Sequence, residues 1–289
     1  MRYSSAMPDA PSVVLTVAGF DPSSGAGITA DIKTIAAHGC YGVACITAMT
    51  VQSTAGVKRV EACDPELVSE TLRELTADIR IAAVHIGMLG SGKVAKAVAE
   101  FLARAKPPNI VLDPILRSSS GADLIDSAGR QVMVEQLLSL SAVVTPNADE
   151  ASALTGLPVK NLEEMRGAAI KLHEMGAQSV VVTGGDMEKA VDLLSFQAKR
   201  GVEQEVFKSV RQRSNSTHGT GCAFATAMAC HLALDRGLPE AVLLAKAYVS
   251  AAIATGHPLG RGIGPVHHLY RMQQQRRMAA AVAEAESIH

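Results

Sequence analysis

The sequence contains no tryptophan, and aromatic residues make up only 3% of its 289 residues. This scarcity argues against a protein that binds nucleic acid by stacking bases on aromatic side chains. The formal net charge is −1, so no broad electrostatic attraction toward nucleic acid or an anionic membrane is expected. We therefore expect a protein that binds neither nucleic acid nor membranes.

Cysteine is scarce as well. The chain has five cysteines, an odd number with no C-x-x-C pair, which predicts reduced thiols rather than a disulfide framework or a zinc site. Residues 1–11 lack the apolar segment of a signal peptide. The most apolar long stretch, residues 241–254, is interrupted by Lys246 and is too short to cross a membrane. These features predict a cytoplasmic protein.

Aliphatic residues are abundant. Hydrophobic residues make up 48% of the chain and charged residues 19%, which allows a large buried core. Short β-branched runs predict strands at residues 13–18, 42–48, 82–86, 110–112, 142–145, 179–183, 191–197 and 203–208. Amphipathic or apolar spacing predicts helices at residues 25–38, 65–79, 93–105, 127–138, 150–155, 162–175, 221–236 and 241–255. This alternation predicts a mostly parallel sheet with helices on both faces.

No repeat or low-complexity linker divides the chain. We expect a flexible N-terminus at residues 1–12, a single domain at residues 13–270, and a helical or frayed tail at residues 271–289. Ligands of such sheets bind beyond the carboxyl ends of the strands. Polar residues and glycines follow the predicted strands at just these ends, including Gly19, Gln52, Gly87, Asp113, Asn147 and Gly184.

The most informative segment is Ser216-Thr217-His218-Gly219-Thr220-Gly221-Cys222, which precedes a predicted buried helix. A glycine-rich turn at a helix start leaves backbone N–H groups pointing the same way, and the helix dipole makes them an anion site. Cys222 falls in the first turn, where the same field favours a thiolate. The segment indicates phosphoryl transfer to an alcohol. His218 has two interpretations, a base or an ordinary loop residue, and its place beside flexible glycines favours the second.

Two other glycine motifs match nucleotide-binding patterns imperfectly. Gly25-Ala26-Gly27-Ile28-Thr29-Ala30 fits the dinucleotide pattern, but five residues separate it from the preceding strand and no carboxylate follows the second strand. The run from Gly87 to Val94 fits a phosphate loop except that Val94 replaces the serine or threonine that holds magnesium. An ordinary strand-to-helix turn is the preferred interpretation of the second motif.

Carboxylates near two predicted helix starts have two interpretations each. Asp21 either binds an amino or hydroxyl group of a small ligand or caps the following helix. Asn147 and Glu150 lie three residues apart at a helix start. Their oxygens suit Mg²⁺ bound through water, and the same spacing also fits a capping box, which the pair taken alone favours.

In combination these motifs resemble the hydroxymethylpyrimidine/phosphomethylpyrimidine kinases of thiamine biosynthesis, within the ribokinase-like superfamily of vitamin kinases. The resemblance runs in order from about residue 13 to residue 268 and rests on the blocks AGFDPSSGAG with ADIKT, ITA through Gln52, IGML, VLDP, TPN with Glu150, THGTGC and GIGPVHH. It implies a three-layer α/β/α sandwich and the transfer of phosphoryl groups from ATP to a hydroxymethylpyrimidine and then to its monophosphate.

The resemblance also implies roles for individual residues. It assigns the substrate to Gly19, Asp21, Ala26, Asp31, Gln52 and Met88. It assigns the transferred phosphoryl group to Gly219, Thr220 and Gly221, and the role of base to Cys222, which stands where most of the superfamily has an aspartate. The remaining assignments are ATP near Asp113, Asn147, Thr183 and Gly185, and Mg²⁺ held through water by Asn147 and Glu150.

Two positions depart from the family pattern. Thr183 stands where a lysine often precedes a Gly-Gly pair, and the loop after Asp113 offers Arg117 instead of lysine. A homodimer is usual in similar proteins. The alternatives are a pyridoxal kinase of the same superfamily, a regulatory module that binds nucleotide without turnover, and a dinucleotide oxidoreductase.

Overall fold

The computed structural model describes residues 10–118, 120–185, 190–199, 201–210, 212 and 214–274. Within them, nine strands form a single sheet in the order β3-β2-β1-β4-β5-β6-β7-β8-β9. The strands are β1 Val13–Phe20, β2 Tyr41–Ser53, β3 Gly56–Ala62, β4 Ala83–Ile86, β5 Ile110–Leu112, β6 Val143–Val144, β7 Ser179–Val182, β8 Val191–Ala198 and β9 Gly201–Lys208. All pairings from β2 through β7 are parallel, whereas β3, β8 and β9 pair antiparallel at the two edges.

Helices connect the parallel strands and cover both faces of the sheet. They are α1 Gly27–Ala37, α2 Pro65–Asp78, α3 Gly92–Ala105, α4 Ser127–Val132, α5 Leu138–Leu140, α6 Ala148–Thr155, α7 Leu162–Glu174, α8 Thr220–Ala233 and α9 Leu238–Ala254. A π-helical turn, Met133–Leu137, joins α4 to α5. The predicted α/β class with a mostly parallel sheet is confirmed.

The hydrophobic core divides into two layers, one on each face of the sheet. Alternate residues of a strand point to opposite faces, and in β1 Leu15 and Val17 join one cluster while Val14 joins the other. The first cluster includes apolar residues of α2, α3, α6 and α7, and the second includes those of α1, α8 and α9. Helix α8 is apolar on every side and buried along nearly its whole length, as expected of a helix packed between the sheet and a neighbouring helix.

One edge of the sheet differs from the sequence-based prediction. The second strand does not stop at residue 48 but continues to Ser53, and it turns through Gly56 into the antiparallel strand β3, which was not predicted. Strand β3 carries Lys58, Arg59 and Glu61 on an exposed edge, and a polar edge strand has too little apolar alternation to be recognised in sequence. The hairpin β2–β3 places Gln52 beyond the end of the parallel sheet.

The ends of the predicted domain organisation fall partly outside the described residues. Of the expected flexible N-terminus, residues 1–9 lie outside them, and of the expected tail only residues 271–274 are described, as helix. The carboxyl ends of β1, β4, β5, β6 and β7 meet along one edge of the sheet, because these strands are parallel. The loops after these strands, together with the start of α8, build the candidate active site.

Candidate active site

The start of α8 is an open anion-binding turn. Gly219 precedes the helix with a φ of +83°, and no described side chain caps the helix N-terminus. Helix geometry leaves the N–H groups of Gly221 and Cys222 without intrahelical partners, and the helix dipole gives them partial positive charge. The turn can therefore accept the oxygens of a phosphoryl group.

Glycines hold this turn against the loop that precedes α1. A Cβ atom on Gly219 would lie 1.9 Å from the carbonyl oxygen of Gly25, and a Cβ atom on Gly25 would lie 2.3 Å from Cδ2 of His218. The two backbones therefore touch directly. A side chain at either glycine would push the loops apart and move the anion-binding turn.

A cavity of about 200 Å³ opens in front of the turn. It brings together most of the residues assigned from the sequence: Gly19, Asp21, Ala26, Gln52, Met88, Asp113, Asn147, Glu150, Thr183, Gly219, Thr220, Gly221 and Cys222. These residues come from the loops after five strands, the β2–β3 hairpin and the α8 turn. The roles given to them remain proposals, but their common location follows from the fold.

The expected role of Asp31 in substrate binding is wrong, because Asp31 does not line the cavity. Its side chain is fully buried and accepts hydrogen bonds from Thr16 Oγ1 at 2.7 Å and Thr226 Oγ1 at 2.8 Å. His85 Nδ1 lies 3.3 Å from the same carboxylate. Asp31 thus joins α1, α8, β1 and β4 beneath the site, and a substrate cannot reach it.

The expected role of Gly185 in binding ATP stays a prediction. Gly185 lies outside the cavity lining, in the turn after β7, and a Cβ atom built on it would meet nothing within 4 Å. The neighbouring Gly184 N–H instead donates to Asp192 Oδ1 at 3.1 Å. Thr183 is therefore the residue of this segment that faces the cavity.

His218 is a site residue that the sequence analysis missed. Its Nε2 lies 2.8 Å from Asp21 Oδ2 and 3.3 Å from Gln52 Nε2, and the ring lines the cavity. Its position directly before Gly219 was the available signal, because the residue next to an anion-binding turn faces the same ligand. The interpretation of His218 as an ordinary loop residue is wrong.

Asp21 orders the loop before α1 rather than capping the helix. It accepts hydrogen bonds from the backbone N–H groups of Ser23 and Ala26 and from the Ser23 hydroxyl, in addition to His218. Burial works to raise the pKa of Asp21, but the hydrogen bonds from His218, Ser23 and Ala26 outweigh it and lower that pKa. The carboxylate is therefore ionised and holds both the loop and the imidazole.

An apolar wall forms the side of the cavity nearest the β2–β3 hairpin. Met88 packs with Ala48 and Leu124 in a small cluster, against which Val57 and Ile115 also pack. Gly19 lies so close that a Cβ atom on it would meet Met88 Sδ at 2.9 Å. A flat ring fits between such a wall and the polar side chains of Gln52 and His218.

Buried carboxylates line the opposite end of the cavity. Burial, with the nearby charges of Glu150 and Asp31, raises the pKa of Asp113 well above its usual range. Burial also raises the pKa of Glu150 to about 7, against the backbone hydrogen bonds from Asn147 and Leu116. Asp113 Oδ2 has no hydrogen-bond partner among the described residues, and a Cβ atom on Gly221 would lie 3.7 Å from it.

Asn147 and Glu150 form a complete capping box at the start of α6. The Asn147 N–H donates to Glu150 Oε2 at 2.9 Å, and the Glu150 N–H donates to Asn147 Oδ1 at 2.8 Å. The capping interpretation is therefore confirmed. Both residues also line the cavity, so the cap fixes their oxygens at its acidic end.

Cys222 does not behave as the helix-start argument predicts. Its side chain is buried, and burial followed by the charges of Asp113 and Asp31 raises its pKa well above its usual range, although the Gly27 N–H donates to the sulfur. The thiolate expected from the helix dipole is therefore corrected to a protonated thiol. Burial and the nearby carboxylates together outweigh the partial charge of the helix start.

The two imperfect glycine motifs have structural roles. Helix α3, which follows the Gly87 to Val94 run, is capped by Ser91, whose Oγ accepts from the Val94 N–H at 3.4 Å, and the Gly92 N–H donates to Asp126 Oδ1 at 2.9 Å. These bonds leave no open anion site there, and the ordinary turn is confirmed. The Gly25 to Ala30 motif packs on His218 and α8, and its Ala26 and Gly27 line the cavity.

Within the described residues, no three histidine, cysteine, aspartate or glutamate side chains group as a metal site. The helices of this part of the chain include none with the length and apolar character needed to span a bilayer.

A family model and individual relatives of this chain point to the same protein family. The family model for phosphomethylpyrimidine kinase matches residues 21–267. The hydroxymethylpyrimidine/phosphomethylpyrimidine kinase of Streptomyces coelicolor is 41% identical over 262 residues, with 90% of this chain and 96% of that protein covered. The thiamine biosynthesis bifunctional protein ThiED of Geobacter sulfurreducens is 42% identical over 91% of this chain, which spans only 53% of that longer protein.

Solved structures show the same fold. The pyridoxal kinase of Bacillus subtilis in complex with ADP matches with a TM-score of 0.81 at 33% identity, covering 90% of this chain and 98% of that chain. The phosphomethylpyrimidine kinase of Clostridium difficile matches with a TM-score of 0.75 at 34% identity, covering 84% and 99%. The fold is thus that of the ribokinase-like vitamin kinases, and the chain belongs to the phosphomethylpyrimidine kinase family.

Proposed function

We propose that this protein transfers the γ-phosphoryl group of ATP to the hydroxyl of 4-amino-5-hydroxymethyl-2-methylpyrimidine, and then a second phosphoryl group to the resulting monophosphate. The product is the pyrimidine diphosphate used in thiamine biosynthesis. One observation carries the proposal: the anion-binding turn Gly219–Cys222 and the ring-binding side chains Gln52 and Met88 face a single cavity. The names of the relatives agree with this reaction.

One part of the cavity binds the pyrimidine ring, and another binds the transferred phosphoryl group. The pyrimidine lies against Met88, with Gln52 and His218 beside its polar edge, and its hydroxymethyl group points toward the α8 turn. The hydroxyl oxygen bonds to the γ-phosphorus, the bond from that phosphorus to the bridging oxygen of ADP breaks, and the hydroxyl proton leaves. The N–H groups of Gly221 and Cys222 stabilise the charge on the transferred group, which is the main requirement of phosphoryl transfer.

Cys222 is the proposed acceptor of the hydroxyl proton. Its thiol is protonated because burial, followed by the charges of Asp113 and Asp31, raises its pKa. We infer that it becomes a base only when the bound reactants have brought positive charge to Asp113 and Glu150. Such pairing lowers the cost of a thiolate beside these groups.

The acidic end fits Mg²⁺. Asp113, whose Oδ2 lacks a hydrogen-bond partner among the described residues, and Glu150 both line the cavity, and burial raises the pKa of each. A cation beside them would favour their ionised forms. Mg²⁺ in kinases is bound by one or two carboxylates, waters and substrate phosphates rather than by a full protein cage. Glu150 and Asn147 would hold the ion through water, with Asp113 beside it. The ion would neutralise charge on the phosphates during transfer.

Pyridoxal phosphorylation is the competing activity, because solved pyridoxal kinases share the fold at TM-scores of 0.78 and above. Both acceptors are small heteroaromatic rings with a hydroxymethyl group. The curated relatives named as pyrimidine kinases match at higher sequence identity, up to 41% over nearly their full length. We therefore place the pyrimidine first. A homodimer and a cytoplasmic location are proposed with it.

The test is product analysis by mass spectrometry. The purified protein is incubated with ATP, MgCl₂ and the hydroxymethylpyrimidine, and the same mixture with EDTA is the control. We expect mono- and diphosphate to form in sequence only when Mg²⁺ is present. Formation of pyridoxal phosphate from pyridoxal, with no phosphorylated pyrimidine, would reverse the assignment. Analytical ultracentrifugation of the same sample tests the homodimer.

A further inference from the structure

A second pocket of about 120 Å³ adjoins the active-site cavity on the side of the β2–β3 hairpin. The tip of the hairpin, Ser118, Ser120 and the segment Gly262–Ile263 enclose it. It shares Gln52, Val57, Ser118 and His218 with the active-site cavity, but none of Gly219, Thr220, Gly221 or Cys222. This side pocket therefore extends the cavity away from the anion-binding turn.

The walls of the side pocket are built by close backbone contacts. A Cβ atom on Gly262 would lie 1.9 Å from the Thr54 carbonyl oxygen, and the Ile263 N–H donates to that oxygen at 3.1 Å. On the other side, a Cβ atom on Gly56 would lie 2.9 Å from Ser120 Cβ. The hairpin tip is thus held between two loops, and the pocket is part of the folded structure.

The two transfers place different demands on the cavity. In the first, the attacking oxygen belongs to the hydroxymethyl group. In the second, it belongs to the phosphate already attached to that group. Both oxygens must reach the γ-phosphorus of ATP at the same turn, since the described lining of this cavity includes one such turn. The pyrimidine ring must therefore lie farther from the turn in the second transfer, by the length of one phosphoryl group.

We propose that the side pocket receives the pyrimidine ring during the second transfer. This inference rests on the proposed function. Gln52 and His218 border both positions and can contact the ring in either one. The hydroxyls of Ser53, Thr54 and Ser120 provide partners for its amino group and ring nitrogens. A phosphate oxygen of the monophosphate then bonds to the γ-phosphorus, the bond to the bridging oxygen breaks, and ADP leaves with that electron pair.

Arg117 lies where the substrate phosphate would pass. It lines the active-site cavity, and it is the only lysine or arginine among the described lining residues. Its guanidinium pairs with Asp123 at 2.9 Å, and both side chains are largely exposed. An exposed pair of this kind contributes little to stability, so Arg117 is free to contact an anionic substrate. The first substrate is uncharged and needs no contact with Arg117.

The test fills the side pocket and measures the two transfers separately. Ile263 lines the side pocket but not the active-site cavity, and it is 42% exposed. Ile263→Trp therefore fills the side pocket without changing the packing of the hydrophobic core. Ile170, which is 49% exposed on α7, supplies the matched control Ile170→Trp. Ser53→Leu is a second filling variant from the hairpin. Each protein is assayed with the hydroxymethylpyrimidine and, separately, with its monophosphate.

We expect the filling variants to lose at least about tenfold in kcat/KM for the monophosphate while staying within about twofold for the unphosphorylated pyrimidine. The control should match the wild type with both substrates. Equal losses in the two transfers, or no loss in either, would overturn the side-pocket proposal. A wild-type protein that phosphorylates the pyrimidine but never its monophosphate would instead overturn the second half of the proposed function.

Discussion

His218 Nε2 and Asp21 Oδ2 lie 2.8 Å apart although 197 residues separate them in the chain. The contact joins the loop before α1 to the turn before α8. It fixes the imidazole at the edge of the cavity, next to Gln52. The same contact thereby couples the shape of the substrate pocket to the position of the anion-binding turn.

Removing this imidazole should weaken acceptor binding more than ATP binding. A hydrogen bond to a charged group contributes about 1.5–3 kcal/mol. We therefore expect His218→Ala to reduce kcat/KM for the pyrimidine by about 10- to 100-fold, with KM for ATP nearly unchanged. His218→Gln is the matched control, because its amide can still donate to Asp21, and it should recover part of the loss. Equal effects of His218→Ala on the KM of both substrates would contradict this role.

Cys222→Ala should separate the two transfers. The first acceptor is an alcohol that must lose a proton, whereas the second is a phosphate oxygen that is already ionised. General base catalysis contributes about 10²- to 10⁴-fold, so we expect a loss of that order in kcat for the pyrimidine. The loss for the monophosphate should be far smaller, because the backbone N–H of residue 222 is retained. Initial rates with each substrate give the comparison, and equal losses would exclude Cys222 as the base.

Thr226→Val tests the placement of Asp31 beneath the site. The substitution removes the hydroxyl that donates to Asp31 Oδ1 at 2.8 Å and leaves a fully buried carboxylate oxygen short of a donor. We expect the free energy of unfolding to fall by about 1–3 kcal/mol, while KM for the pyrimidine is unchanged because Asp31 does not reach the cavity. Urea denaturation and steady-state kinetics provide the two measurements. Thr226→Ser, which keeps the hydroxyl, should be close to wild type, and a raised KM in the valine variant would restore Asp31 to the substrate site.

The stability of the protein should fall in mild acid because of buried histidines. Burial, followed by the charges of Arg236 and Arg271, lowers the pKa of His231 to about 4, and neither ring nitrogen has a partner among the described residues. The unfolded chain takes up a proton at this histidine near pH 6.5. The folded state therefore loses stability as the pH falls below 6.5, and the loss continues until pH 4.

His231→Phe removes this proton uptake. Relative to the wild type, we expect the variant to gain about 2 kcal/mol of unfolding free energy between pH 7.5 and pH 5. Denaturant melts at both pH values give the difference. Ile170→Phe, at an exposed position without a titratable group, is the control and should show no such gain. A constant difference between variant and wild type across this range would contradict the assignment.

Much of the fold was predictable because each parallel strand and its following helix carry their own local pattern. Strand β5 at Ile110–Leu112 was predicted to the residue, since a β-branched run before Asp113-Pro114 has few alternatives. Strand β3 was not predicted, because it forms the exposed edge of the sheet and carries charged residues that mask any apolar alternation. The π-helical turn Met133–Leu137 within the predicted helix likewise follows from packing and leaves no mark in the periodicity.

Site residues could be predicted from the sequence where they directly follow a strand or begin a helix. Gln52, Met88 and the glycines of the α8 turn follow strands or open a helix, and all line the cavity. Asp31 shows where this reasoning fails. A polar residue one turn into a helix can point to the core as easily as to the ligand, and only the hydroxyls of Thr16 and Thr226, distant in sequence, decide which. The predicted thiolate of Cys222 was wrong for the same reason, because the tertiary fold buries the thiol and brings Asp113 and Asp31 near it.

The most direct test of the central claim is a comparison of acceptors under identical conditions. kcat/KM is measured for the hydroxymethylpyrimidine and for pyridoxal, at saturating ATP and MgCl₂, by following ADP release. If the cavity of Met88, Gln52 and His218 presents a pyrimidine to the Gly219–Cys222 turn, the value for the pyrimidine will exceed that for pyridoxal by at least about tenfold. A higher value for pyridoxal, or no ADP release with the pyrimidine, would contradict the account.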